Sequence, residues 1–89
     1  MHVEDAIERR LLAWLESYEL TFAEYTVLEC AVRHEHSVTL IAKLRFVTLS
    51  TVKKQSYSII KKSGDASLGH AALRLLREAT EEMRAATAA

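Results

Sequence analysis

Apolar residues recur at a helical period along most of the chain. Over residues 3–18, Val3, Ile7, Leu11, Trp14, Leu15 and Tyr18 share one side, and Asp5 and Arg9 stand four apart on the other, which predicts an amphipathic first helix. The next segment opens LTFAEY. Thr21 and Glu24 have the spacing of a capping box, with Leu20 and Tyr25 placed to staple across it, so a second helix should start near Phe22 and end near His34. Its apolar side is Val27, Leu28, Ala31 and Val32. Ser37 can cap a short third helix, VTLIAKL, with Leu40, Ile41 and Leu44 as its apolar residues. After the brief connection RFVT, either Thr48 or Ser50 caps a fourth helix that runs to about Ser63, where Gly64 supplies a left-handed end. From about Ser67 a last helix carries Leu68, Ala72, Leu75, Leu76, Ala79 and Met83 on one stripe and frays in ATAA.

The fold class implied is all-α, a small bundle of about five helices. Composition agrees. The chain has 89 residues, no proline and two glycines, so it lacks the punctuation that hairpin-rich folds need at their turns. An apolar fraction of 49% with 27% charged residues belongs to a globular domain and not to a disordered chain. One domain over 1–89 is expected, with 1–19 as an accessory N-terminal helix and 67–86 as the C-terminal helix. No apolar run reaches the length of a membrane span, and the start is acidic where a secretory signal would be basic and then apolar, so the expected location is cytoplasmic. The lone cysteine, Cys30, has no internal disulfide partner and fits a reducing compartment.

Charge changes the picture more than composition does. The formal net charge is zero, yet residues 1–35 hold eight acids against three arginines, whereas residues 36–62 hold Lys43, Arg45, Lys53, Lys54, Lys61 and Lys62 and no acid. Residues 63–89 are close to balance, with three arginines and four acids. The positive field is therefore confined to the middle of the chain. Winding residues 50–63 at 3.6 residues per turn puts Val52, Ser56, Ile59 and Ser63 on the packed side and Ser50, Lys54, Tyr57 and Lys61 opposite, with Lys53, Ser58 and Lys62 flanking. A short helix, a tight connection and a capped helix with a basic outer face is the layout of a helix-turn-helix, whose second helix fits the DNA major groove. A solvated surface helix is the plainer reading of the lysines. The complete lack of acids across 36–62 favours an anionic partner.

On these residues the chain resembles the LuxR/GerE family of bacterial DNA-binding domains. The family's recognition helix is close to T-V-K-x-H-x-x-x-I-x-x-K-L-G, and Thr51, Val52, Lys53, Ile59, Lys62 and Gly64 fall in register with it. The family opening L-T-x-x-E-x-x-V-L is met by Leu20, Thr21, Glu24, Val27 and Leu28, so the resemblance covers about residues 20–75. It departs at Gln55 for the family histidine, at Ser63 for a leucine, and at RHEHS where the family has a glycine. The family's I-A-x-x-L can be laid on Ile41-Ala42 or on Leu40-Ile41 with Leu44. The resemblance implies a bacterial transcriptional regulator that binds double-stranded DNA, with base-edge contacts from Lys53, Lys54 and Tyr57 and phosphate contacts from Thr51 and Lys61; Ser50, on the same outer face by its winding, is a further DNA-binding candidate. It also implies a homodimer formed through the last helix, for which Leu68, Leu75, Leu76, Ala79 and Met83 are the candidates. Region four of bacterial sigma factors is similar but usually carries arginines where this helix has lysines. The alternative function is a protein-binding relative of the helix-turn-helix that has left DNA for a polymerase subunit or a transcription factor.

Little else in the sequence suggests chemistry. Cys30 and His34 lie four apart with His36 nearby, a spacing that could begin a metal site, but no second ligand cluster completes it. No nucleophile with an oriented base, carboxylate pair or glycine-rich phosphate cradle can be assembled, so no enzyme activity, cofactor or small-molecule ligand is expected. His70, three residues after Ser67, is expected to serve the start of the last helix.

Overall fold

A computed structural model describes residues 2–34 and 37–88. Among them the chain forms five helices and no strand: α1 (Val3–Ser17), α2 (Phe22–Arg33), α3 (Val38–Arg45), α4 (Leu49–Ser63) and α5 (Leu68–Ala88). The all-α architecture is the one the periodicity predicts.

Four of the five helix starts use local chemistry legible in the sequence; α1 begins after His2 with no side-chain cap. Thr21 and Glu24 make both halves of the capping box, Glu24 N–H donating to Thr21 Oγ1 at 3.1 Å and Thr21 N–H to Glu24 Oε1 at 2.8 Å. Ser37 caps α3, Thr48 rather than Ser50 caps α4, and Ser67 Oγ accepts from His70 N–H at the start of α5. The His70 ring also meets Ser67 Oγ, at 2.7 Å, so His70 does serve that start.

The helix ends are less conventional. Gly64 closes α4 in the left-handed region (φ 82°) as predicted. Two other ends use the same geometry without glycine, at Glu19 (φ 51°) and Phe46 (φ 55°). At each, the left-handed residue bonds back three residues and the next bonds back five: Glu19 N–H to Glu16 O with Leu20 N–H to Leu15 O, and Phe46 N–H to Lys43 O with Val47 N–H to Ala42 O. These are Schellman ends in which a side chain stands where glycine is usual.

One core joins all five helices. Leu11 and Trp14 of α1, Val27 and Leu28 of α2, Ile41 of α3, Val52 and Ile59 of α4, and Leu75 of α5 are buried together. The N-terminal helix, expected as an accessory, supplies Ala6, Ile7, Leu11 and Trp14 to this core and runs alongside α5. Arg74 fastens that pairing. It binds Asp65 through Nε and Nη2 at 2.9 and 3.0 Å, Glu78 at 3.0 Å and the Tyr18 hydroxyl at 3.0 Å, and its guanidinium lies 4.2 Å from the centre of the Trp14 ring. Trp14 Nε1 in turn donates to Glu78 Oε1 at 2.8 Å.

The α5 stripe proposed for pairing of two copies is therefore mostly internal. Leu68, Leu75 and Ala79 are at most 4% exposed within one chain, whose α1, α2 and α4 all pack on α5. Leu76 and Met83 are half-buried against the same core.

Candidate nucleic-acid interface

The site is a face of α4, held by a frame of three neighbours. Val52, Ser56 and Ile59 turn inward and fix the rotation of the helix. With that rotation set, Ser50, Lys53, Lys54, Tyr57 and Lys61 are all exposed, Tyr57 to 68%. None of Lys53, Lys54 and Lys61 forms an ion pair with a described carboxylate. From Ser50 to Lys61 the face is about 16 Å long at 1.5 Å per residue, enough to follow a groove about 12 Å wide.

Thr51 is placed differently from the other five. It is half-buried, its N–H donates to Thr48 Oγ1 at 3.2 Å and its hydroxyl lies 2.8 Å from the same oxygen, so it completes the cap of α4.

Two of the six cations in residues 36–62 do not belong to the outward face. Lys62, expected as a flanking cation, turns to α2: its Nζ donates to Glu24 Oε1 at 2.7 Å and to Glu19 O at 3.1 Å. Glu24 is 6% exposed, and burial pushes its carboxyl upward. Hydrogen bonds from Lys62, Ser58 and the Thr21 N–H, with the charge of Lys62, outweigh that push and hold it at about 2. Arg45 bridges three helices, donating from Nη1 to Ala23 O at 3.4 Å and to Gln55 Oε1 at 3.3 Å. Gln55 thus braces α3 on α4. None of these four bonds was legible in the sequence, because the partners lie 10 to 43 positions apart and no periodic pattern joins them.

Electrostatics sets the remaining cations apart. Acids favour the first turn of a helix and cations the last. The first turn of α4 has no acid, and Lys53 and Lys54 stand in the turn that follows it. Lys61, in the last turn, is favoured by the helix dipole. The two N-terminal lysines have no partner within the described fold that explains them.

Other candidates are quieter. Cys30 is half-buried, with burial raising its thiol pKa and Glu29 adding to the shift against Arg45, which makes it a poor thiolate source. His36 lies outside the described residues, and among those described no three His, Cys, Asp or Glu side chains are grouped to hold a metal ion. Among them, too, no helix is long and apolar enough to cross a membrane. Comparison with family models, characterised proteins and solved structures finds no match to this chain.

Proposed function

We propose that the protein binds double-stranded DNA as a small bacterial transcriptional regulator of the LuxR/GerE type, with α4 as the helix that enters the major groove. The observation that carries this reading is the outward face of α4, where Lys54, Tyr57 and Lys61 stand exposed in line and neither lysine is paired with a described carboxylate. In support, α3 and α4 are joined by the three residues Phe46, Val47 and Thr48, a connection of helix-turn-helix length. Lys53, Lys54 and Tyr57 would read base edges, and Ser50 and Lys61 would meet phosphates. Thr51 would position the helix end that approaches the backbone.

Pairing of two copies is proposed through the part of α5 that its own core leaves open. That part includes Leu76, Met83 and a shallow groove of about 540 Å³ lined by Thr80, Met83, Arg84 and Thr87.

The test is fluorescence anisotropy with labelled random-sequence duplex at low salt. Binding by the native chain, weakened by Lys54→Ala and Lys61→Ala with unfolding midpoints unchanged, supports the reading. Absence of binding at low salt overturns it in favour of a helix-turn-helix that docks on protein alone.

A further inference from the structure

A second surface lies beside the DNA face and has its own physical signature. Leu40, Leu44, Phe46, Val47 and Leu49 are 36 to 95% exposed and fall within ten consecutive residues. Leu40 and Leu44 stand one turn apart on α3, while Ile41 and Ala42 of the same helix are buried. The short helix therefore carries apolar side chains toward solvent as well as toward the core.

Phe46 is the centre of the puzzle. The residue is 95% exposed, so it contributes almost no packing, and its backbone is left-handed at φ 55° and ψ 40°, where glycine or asparagine is preferred. Neither burial nor backbone preference accounts for a phenylalanine there. Strained positions of this kind cluster at binding sites. Around the patch, Lys43, Lys53 and Lys54 are exposed, and none is paired with a described carboxylate. The sequence has no acid between His36 and Lys62.

We propose that this surface docks an acidic amphipathic segment of a partner protein. Large apolar side chains of that segment lie on Leu40, Leu44 and Phe46, and its carboxylates meet Lys43 and Lys53. The basic rim selects the occupant. A second copy placed on the same patch by a two-fold axis would bring like charges together, which costs affinity. Duplex DNA would satisfy the rim but leave the phenylalanine and leucines without an apolar partner.

The test is a titration of the full ¹⁵N-labelled chain with a synthetic amphipathic peptide of about 20 residues, carrying Leu and Phe at i, i+3, i+4 and i+7 and Asp or Glu elsewhere. A peptide of the same composition in scrambled order serves as control. The expected result is saturable shifts in the amides of residues 40–49 with the ordered peptide, weakened about tenfold or more by Phe46→Gly as for a central interface anchor. Phe46→Gly keeps or raises the unfolding midpoint, so lost binding is not lost folding. Lys61→Ala, which weakens DNA binding, leaves the peptide affinity unchanged, so the two proposals fail separately. Equal shifts with the scrambled peptide, or none with either, overturn the inference. So does insertion into phosphatidylserine vesicles without peptide binding, which would make the surface a membrane contact. Self-association abolished by Phe46→Gly would overturn it too, in favour of a second copy.

Discussion

Ser56 sits on the packed side of α4, 5% exposed, and its Oγ has no hydrogen-bond partner. An unsatisfied buried hydroxyl is costly, and alanine is the better helix former. Ser56→Ala should therefore raise stability by about 1 kcal/mol, visible as a rise of roughly 4–8 °C in the thermal midpoint. Phe46→Gly is the second residue-scale case. Relief of a left-handed non-glycine costing about 1–3 kcal/mol is set against roughly 0.5–1 kcal/mol of added chain entropy, so equilibrium urea unfolding should show an unchanged or more stable protein. A clear loss of stability would mean that the ring packs in solution. The inward rotation of Ser56 was legible in the sequence from the winding of α4. Its lack of a partner was not, because that depends on what the other helices place opposite it. The left-handed turn at Phe46 was also hidden, since the usual signal for such an end is a glycine, and here only α4 has one.

Within α4, two adjacent lysines have different roles. Lys62 neutralises a nearly buried carboxylate, whereas Lys61 faces solvent. Lys62→Ala should destabilise the fold by about 1–3 kcal/mol by leaving Glu24 without its cation, less than for a fully buried pair because Lys62 is partly hydrated. Lys61→Ala should leave unfolding unchanged. The Glu24 pair also sets an acid response. Its carboxyl is held at about 2 in the folded state against an ordinary value of 4.5, so its stabilisation is complete above about pH 4.5 and is lost as pH falls toward 2. Asp65, lowered by its bonds from Arg74, acts in the same direction. Thermal midpoints measured down this range should fall, and should fall less steeply in Glu24→Gln. The capping box that places Glu24 at the start of α2 was readable in Thr21 and Glu24, three residues apart. The pairing with Lys62 was not, because it depends on how α2 crosses α4.

Across the whole molecule, α5 is the element most changed from expectation. Its 21 residues form one continuous helix along α1, giving a molecule with extents of 45 × 22 × 21 Å. Its apolar stripe was visible as a stripe. Whether it faced a twin or its own α1 was not, since a helix-period pattern says which side is buried and not by what. Burial within one chain makes Leu75 a core residue, so Leu75→Ala should cost about 2–5 kcal/mol in the monomer. Urea denaturation of the dilute chain checks that loss. The division of charge also belongs to this scale: residues 1–35 carry eight of the twelve acids, and the unpaired lysines gather on α3 and α4. A neutral protein can then present a local positive field to a polyanion while the rest of its surface repels it.

That field is tested most directly by the dependence of duplex binding on salt. Each lysine that neutralises a phosphate contributes about −0.9 to the slope of log K against log salt. The account predicts a steep slope for the native chain that becomes shallower by about one unit in Lys61→Ala and is unchanged in Lys62→Gln. A slope near zero, or one that Lys62→Gln reduces as much as Lys61→Ala does, would contradict the assignment of the outward face of α4 as the surface that meets DNA.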